Sequence, residues 1–309
     1  MTEPMRIIVV GAGGLGGYFG GRLAQGGADV TFVARGAHLR ALQAEGLRIE
    51  SGLGDLHLPD VPATEDPAGL PPADLVMIAV KLHDTEAACR LAAPVVGPGT
   101  AVVSFQNGVR KDAILRAAFG PGRVFGGVGY IGAAIARPGV IAHVGTMQRL
   151  VFGEFDASRS DRTQAFLAAC TAGGIDAELT EAIELRQWEK LVFLVGLSGA
   201  TTTMRSTLGP VRENPASRAF LLQLMQEVVA VGRARGVPLP ADYAQGRLAF
   251  VDGLPAEMNS SMHEDLKRGR RLELPFLAGD VVRMGQEAGV PTPANEAVCA
   301  ILAVHAEGA

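Results

Sequence analysis

A glycine-rich segment between two short apolar runs constrains the fold of this chain more than any other feature. The run Arg6–Val10 leads into Gly-Ala-Gly-Gly-Leu-Gly at residues 11–16, then into a helix-like segment, Tyr18–Gln25, and a second run, Asp29–Val33. In this pattern the first glycine permits a tight turn, the second lets the backbone approach a pyrophosphate, and the third allows close helix–strand packing. The helix N-terminus presents N–H groups and a positive dipole end to the phosphates. The pattern predicts a dinucleotide site, or alternatively a structural glycine turn, with cofactor contacts from Gly11, Ala12, Gly13, Gly14, Leu15 and Gly16.

The residues after the second apolar run indicate which dinucleotide binds. An NAD site usually has Asp or Glu here, whose carboxylate accepts hydrogen bonds from the ribose hydroxyls. This chain has Ala34-Arg35, followed by Gly36-Ala37-His38, and no carboxylate. A guanidinium offers planar, charge-assisted donors that suit a 2′-phosphate. The sequence therefore favours NADPH over NADH; the alternative is a solvated Arg35 in a loop.

Strands and helices alternate up to about residue 180. The run Asp74–Lys81 is almost continuously apolar, as in a parallel strand covered on both faces. A second G-x-G-x-x-G match, Gly127–Gly132, has no amphipathic helix after it, so we interpret it as part of a glycine-rich strand. Further strands are predicted at Leu47–Glu50, Leu56–Leu58, Thr100–Phe105, Val124–Ile135, Gly139–Val144, Leu150–Phe152 and Ile175–Leu179, and helices at His38–Glu45, Asp84–Ala92, Arg110–Phe119 and Ser160–Ala172.

Beyond residue 180 the strand signals end and helical spacing begins. Helices are predicted at Glu181–Gly196, Phe220–Arg235, Asp242–Val251, Ser260–Lys267, Phe276–Ala288 and Asn295–Ala306. The fold class is therefore α/β, with an N-terminal Rossmann-type dinucleotide-binding domain, residues 1–180, followed by an all-helical C-terminal domain, residues 181–309, for substrate and catalysis.

Composition excludes several classes of protein. The chain has 309 residues, 48% hydrophobic and 19% charged, which suits two compact domains and argues against disorder. A net charge of −4 gives no reason to expect nucleic acid as a partner, and we interpret the densest basic stretch, Lys267–Arg271, as a solvated turn or a neighbour of the cofactor phosphate. The cysteines at 89, 170 and 299 fit no metal pattern and are typical of a reducing compartment. No signal peptide and no membrane span is evident, so we expect a cytoplasmic protein with no metal and no membrane partner.

Polar residues follow two of the predicted parallel strands. Lys81 ends one strand and Asn107 follows the next. Ligands of open α/β sheets bind beyond the carboxyl ends of the strands, so both residues are candidates for contact with the nicotinamide and its ribose. The alternatives are a solvated lysine and a simple Asn-Gly turn.

Lys190 is the best candidate for a proton donor to the alkoxide that hydride transfer to a ketone would create. It lies in an apolar helical segment, flanked by Trp188 and Leu191, where an ammonium group is unexpected. A buried lysine needs a carboxylate, and Glu273, between two leucines, is a candidate. The alternative is that Lys190 extends its ammonium group to water.

The sequence resembles the ketopantoate reductase family over nearly its whole length. The resemblance rests on the glycine-rich start, Asn107-Gly108, Trp188-x-Lys190, Asn259-Ser260-Ser261-Met262, Glu273 and Gly289-Val290-Pro291-Thr292-Pro293, in that order. It implies reduction of ketopantoate to pantoate with NADP(H), on the way to coenzyme A, and a homodimer is an expected assembly.

The resemblance also implies roles for individual residues. Lys190 matches the general acid, and Glu273 matches a glutamate that orients both the substrate hydroxyl and the lysine. Asn107 matches an asparagine that touches cofactor and substrate, and Ser261 a serine that binds the substrate carboxylate. Lys81 and Arg35 match cofactor-side cations.

Two positions depart from the family pattern. The family has asparagines one and two turns after the catalytic lysine, where this chain has Leu194 and Ser198. Leu194 cannot hydrogen-bond a substrate hydroxyl, whereas Ser198 stays a candidate for substrate binding. The alternatives are therefore a family member that reduces another small 2-oxo acid or ketone, and a non-catalytic protein that senses NADPH.

Overall fold

The computed structural model describes residues 3–308. The chain divides into two units, Met1–Asn107 with Lys111–Ile183, and Gly108–Arg110 with Glu184–Ala309. No helix of the described residues is long and apolar enough to cross a membrane.

A parallel sheet of five strands forms the centre of the first unit, in the order β5-β2-β1-β6-β7. Its strands β1, β6 and β7 have buried, nearly all-apolar residues because helices cover both faces of such a sheet. The pairing of Val10 with both Val33 and Ile78 brings the carboxyl ends of β1, β2 and β6 to one edge. The elements of this sheet and the helices between its strands are β1 Arg6–Val10, α1 Gly14–Gln25, β2 Asp29–Val33, α2 Gly36–Glu45, β5 Ala63–Thr64, β6 Leu75–Ile78, α3 Thr85–Ala92, β7 Ala101–Ser104 and α4 Arg110–Phe119.

A second sheet in this unit is built around one long strand. Its elements are β3 Leu47–Ser51, β4 Leu56–Leu58, β8 Gly126–Arg137, β9 Val140–Gly153 and β10 Asp176–Leu179, with α5 Asp161–Ala172 before β10. Strand β9 pairs with β8 in an antiparallel hairpin, and along its other edge with β3 and then with β10. The prediction of separate strands at Gly139–Val144 and Leu150–Phe152 is therefore wrong: the polar residues between them belong to one strand, which is irregular there.

The glycine-rich segment 127–132 lies in strand β8, as predicted. A Cβ atom on Gly127 would lie 2.8 Å from the ring of Phe105, which excludes a side chain. Phe105 belongs to a cluster of buried aromatic rings with Phe125, Phe152 and Phe166, at centroid distances of 4.8 to 6.4 Å. The absence of side chains on this part of β8 therefore leaves space for the aromatic cluster.

The second unit is helical. Its elements are α6 Ile183–Thr203, α7 Leu208–Glu213, α8 Pro215–Ala234, α9 Tyr243–Asp252, α10 Ser261–Lys267, α11 Ala278–Ala288 and α12 Pro293–Leu302. Helix α7 was not predicted, and α6 continues about two turns beyond the predicted end at Gly196, to Thr203. Gly196 and Gly199 lie inside α6, where a Cβ would approach Met225 and Leu224 of α8 to 2.6 and 2.9 Å, so the glycines allow the two helices to pack closely.

A buried carboxylate connects α8 to the start of α12. Glu227 accepts hydrogen bonds from the backbone N–H groups of Ala294 and Asn295 at 2.8 and 2.9 Å, and from the Asn295 side chain at 2.7 Å. A negative charge at a helix N-terminus is favourable because it satisfies free N–H groups and faces the positive dipole end. Gly289, in the left-handed conformation at φ 68°, ends α11 before this contact.

Candidate functional site

The loop after β1 has the geometry of a phosphate-binding turn. Gly11 has φ +104°, and a Cβ there would lie 2.9 Å from the backbone of Ala79 and Val80. A Cβ on Gly16 would overlap the carbonyl oxygen of Gly11, so the third glycine brings the helix against the loop. Around Gly13, by contrast, a Cβ would meet nothing within 4 Å. Gly11 and Gly16 thus serve the fold, and Gly13 leaves open space beside the backbone.

The N-terminus of α1 is suited to bind an anion. Gly13 is its N-cap residue and offers no side chain to the first turn, which also contains no acidic residue. The first N–H groups of a helix have no intrahelical acceptor, and the helix dipole adds a partial positive charge. Because neither the cap residue nor the first turn of α1 supplies a negative group, an incoming phosphate can fill this role.

A cavity of about 370 Å³ adjoins the loop. It is lined by the glycine loop, by Ala34, Arg35 and His38 after β2, and by residues of α3 such as Ala87 and Leu91. Arg35 is exposed and precedes α2, so its guanidinium is available to a ligand. Asp84 also lines the cavity, but it follows β6 and pairs with His83 at 3.6 Å. No carboxylate therefore occupies the position after β2 at which NAD sites bind the ribose.

His38 joins the loop to the second sheet, a contact that the sequence analysis did not identify. Its Nε2 lies 2.8 Å from the carbonyl oxygen of Ala12, and its Nδ1 accepts a hydrogen bond from the Gly139 N–H at 3.1 Å. One nitrogen must donate and the other accept, which defines a neutral imidazole with its proton on Nε2. Burial lowers the pKa of His38, an effect that its hydrogen bond to Ala12 partly opposes. The imidazole thus holds the backbone of the glycine loop in place.

Gln106 connects the segments that follow strands β6 and β7. Its side-chain amide donates to the carbonyl oxygen of Val80 at 2.7 Å and to the Thr85 hydroxyl at 2.9 Å, and it accepts from Ser104 at 2.8 Å. The next residue, Asn107, is half-buried. Lys81 is exposed and lies three residues after β6, which ends at Ile78 and not at Lys81 as predicted. Gln106 therefore positions the segment from which these two polar side chains extend.

In the second unit, α6 presents Lys190, Leu194 and Ser198 on one face, four residues apart. Lys190 and Leu194 are half-buried, whereas Ser198 is 1% exposed. The Ser198 hydroxyl has no hydrogen-bond partner within the part of the chain that the structure describes. Buried polar atoms almost always have a partner, so this hydroxyl has capacity for a ligand or a water molecule.

The two serines before α10 have different roles. Ser260 is buried, caps α10 by accepting from the His263 N–H at 3.1 Å, and lies 3.2 Å from the Thr201 hydroxyl of α6. Ser261 is exposed at the first position of α10. Of the pair, Ser261 is therefore the one available to a substrate.

Glu273 is 5% exposed and precedes a short 3-10 turn, Leu274–Phe276. Its flanking residues Leu272 and Leu274 are also buried, so the carboxylate lies in an apolar segment. A buried carboxylate is costly unless it is hydrogen-bonded or paired, which makes this position a candidate for function.

The parallel sheet, the glycine loop and the cavity at the ends of β1 and β2 define a Rossmann-type dinucleotide-binding protein. Comparison with known families is more specific. The family model described as ketopantoate reductase PanE/ApbA matches residues 7–157, and the model of that family's C-terminal domain matches residues 182–306. The chain belongs to this family and is an oxidoreductase; the predicted family and fold class are confirmed.

Relatives and solved structures agree over almost the whole chain. An uncharacterized oxidoreductase of Bacillus subtilis, YkpB, is 31% identical, covering 97% of this chain and 99% of its own. A 2-dehydropantoate 2-reductase of Mesorhizobium japonicum is 32% identical, with 96% and 97% covered. The crystal structure of 2-dehydropantoate 2-reductase from Geobacter metallireducens is 30% identical, with 97% and 99% covered and a TM-score of 0.91.

Proposed function

We propose that this protein reduces a 2-oxo acid to the 2-hydroxy acid with NADPH, and that ketopantoate, which gives pantoate, is the first substrate to test. The observation that carries the proposal is the presence of Lys190 and the buried Glu273 in a chain that matches 2-dehydropantoate 2-reductases from end to end. A protein that only sensed the cofactor would need neither residue.

The cofactor contacts come from the first unit. We assign the pyrophosphate to the backbone of Gly11–Gly16, the 2′-phosphate to Arg35, and the nicotinamide side to Lys81 and Asn107. The open space at Gly13, the absence of a cap at the start of α1 and the exposed Arg35 support this assignment. When bound, NADPH supplies a hydride to the carbonyl carbon of the substrate.

The proton and the charge compensation come from the second unit. As the carbonyl oxygen gains negative charge, the Lys190 ammonium stabilises it and then transfers a proton to it, which yields the hydroxyl group. Glu273 orients both the substrate hydroxyl and Lys190. Asn107 and Ser198 form hydrogen bonds with the substrate, and Ser261 binds its carboxylate.

A different 2-oxo acid is a second candidate substrate, and Leu194 is the observation that favours it. A leucine one turn after Lys190 removes a polar contact, which lowers the discrimination for a substrate hydroxyl at that point. We therefore expect tolerance of, or preference for, a 2-oxo acid with a more apolar side chain.

The test measures NADPH oxidation with ketopantoate and with a panel of apolar 2-oxo acids. Lys190→Ala should lower turnover by about 10²–10⁴-fold, the usual scale for a general acid, with cofactor affinity unchanged. Glu273→Ala should impair both KM and turnover, and the two losses should be less than additive because Glu273 acts in part by orienting Lys190.

Glu189→Ala is the matched control, because Glu189 neighbours Lys190 on α6 and forms a surface ion pair with Arg186 at 3.1 Å. Near-normal turnover in Lys190→Ala would refute the mechanism. Failure of the whole panel with NADPH still bound would favour the sensing function. The cytoplasmic location and the homodimer stay predictions, which cell fractionation and sedimentation would check.

A further inference from the structure

The second unit contains a cavity of about 440 Å³ that none of the proposed catalytic residues lines. Its walls include Arg205, Asn259, His263, Lys267 and His305, with Leu266 as an apolar side. Among the described residues that line it, none carries a carboxylate. A wall of cations, imidazoles and an amide without an acid is complementary to a negatively charged ligand.

The cavity lies on a different side of α10 from Ser261. His263, Leu266 and Lys267 lie three and four residues apart, so they share one face of this helix, and Asn259 lies just before its N-cap residue Ser260. Ser261 is two residues from His263, which corresponds to a rotation of about 200° around the helix axis. The residue assigned to the substrate carboxylate therefore points away from this cavity.

The positive charge of the cavity is not fully balanced by the protein. Glu264 is the nearest carboxylate on α10, and it already accepts from Asn259 at 2.6 Å and from Lys267 at 3.2 Å. These hydrogen bonds hold its pKa below the usual value. Arg205 contacts the Nε2 atom of His305 at 3.0 Å, and the structure gives it no carboxylate partner among residues 3–308. An imidazole that accepts from an arginine is neutral, so the charge of Arg205 remains available.

His263 supplies a second, independent indication of a ligand. His263 is 4% exposed, and its Nδ1 atom has no hydrogen-bond partner among residues 3–308. Burial, and then the charge of Lys267, lower the pKa of His263, an effect that the charge of Glu264 partly opposes. An unpaired buried nitrogen is uncommon, and an anion in the cavity would favour the ring orientation and protonation that satisfy it.

We propose that this cavity is a binding site for a small organic oxyanion, a phosphate or a carboxylate with a short apolar part. Arg205 and Lys267 provide the charge, His263, His305 and Asn259 provide the hydrogen bonds, and Leu266 contacts the apolar part. The volume lies within the range of small-molecule pockets and exceeds what inorganic phosphate alone requires.

The test is calorimetric titration of the full-length protein with phenyl phosphate, inorganic phosphate and benzoate, with the imidazole signals of His263 followed by NMR. We expect saturable binding of phenyl phosphate or benzoate that shifts the His263 signals. Arg205→Gln should weaken binding by about tenfold or more, since a charge-assisted contact is lost. Lys267→Gln, at an exposed position, should weaken it as well and keeps the test valid if the first variant unfolds.

Two further variants discriminate between sites. Arg268→Gln removes one charge beside Lys267 without removing a lining residue, and binding should persist. Arg35→Ala removes the cation of the candidate cofactor site. If the probes no longer bind to the Arg35→Ala variant but still bind to Arg205→Gln, the anion binds at the cofactor site and the proposal is overturned. Absence of saturable binding of all three probes would overturn it too. The relative affinity of phenyl phosphate and benzoate identifies the ligand class.

Discussion

Gly13→Val should abolish dinucleotide binding in a protein that still folds. The backbone of Gly13, at φ −74° and ψ −162°, is accessible to valine, and its Cβ would meet nothing within 4 Å. The folding cost is that of a poorer N-cap residue, about 1 kcal/mol in the free energy of unfolding. The valine methyl groups would occupy the space of the pyrophosphate. Loss of two charge-assisted hydrogen bonds at about 1.5–3 kcal/mol each predicts a Kd raised about a hundredfold or more.

The assay is fluorescence titration with NADPH, together with chemical denaturation of each variant. Gly129→Val, in the second glycine motif, should show the opposite result, because its Cβ would lie 3.2 Å from the Cβ of Phe105 and 3.3 Å from Leu15. Overpacking there should lower the free energy of unfolding by about 1–3 kcal/mol and leave the Kd of the folded fraction little changed. Gly99→Val, at an open loop position, controls for valine itself. Tight NADPH binding by Gly13→Val would refute our placement of the phosphates.

Three other perturbations test the remaining parts of the site. Arg35→Ala should weaken NADPH binding about tenfold to a hundredfold and leave the NADH affinity nearly unchanged, and equal affinities in the unaltered protein would contradict the assignment. The double substitution Leu194→Asn with Ser198→Asn should raise kcat/KM for ketopantoate if the natural substrate is another 2-oxo acid. If the unaltered protein already reduces ketopantoate efficiently and the double substitution lowers kcat/KM, a different natural substrate is excluded. Because burial lowers the pKa of His38 below its usual 6.5, the folded state binds fewer protons than the unfolded chain, so the free energy of unfolding should fall as pH drops below 6.5. His38→Gln should reduce this slope and the exposed His57→Gln should not, as measured by denaturation across pH; identical slopes would refute the role of His38.

Local patterns in the sequence were sufficient for the elements around the glycine loop. Strands Arg6–Val10 and Asp29–Val33 have the predicted bounds because each is a short apolar run bounded by glycine or by charged residues. The helix predicted at Ser160–Ala172 is α5, and Ser160 is its N-cap residue, accepting a hydrogen bond from the Thr163 N–H. Turn, cap and periodicity signals depend on neighbours within a few residues, which a single sequence contains.

The pairing of strands that are far apart in the sequence could not be predicted from such local signals. The stretch between Val144 and Leu150 contains polar and glycine residues typical of a turn, yet it continues β9, because β8 pairs with the strand on both sides of the irregularity. Helix α7 is only six residues long, too short for a periodic pattern to distinguish it from a loop.

Some features of the candidate site could likewise be predicted from local sequence patterns, and others depend on the tertiary structure. The sequence by itself determined the class of ligand, because glycines at fixed spacing after a strand and an arginine after the next strand define the chemistry of a dinucleotide site. It also singled out Lys190 and Glu273 as charged residues in apolar segments. Only the tertiary structure decided what holds the loop and which polar groups lack partners. His38 and Gly139 are 101 residues apart, and the contact between them exists only because the second sheet folds beside the glycine loop. The cavity around Arg205 likewise combines the ends of α6 and of the chain with one face of α10, a juxtaposition set by helix packing.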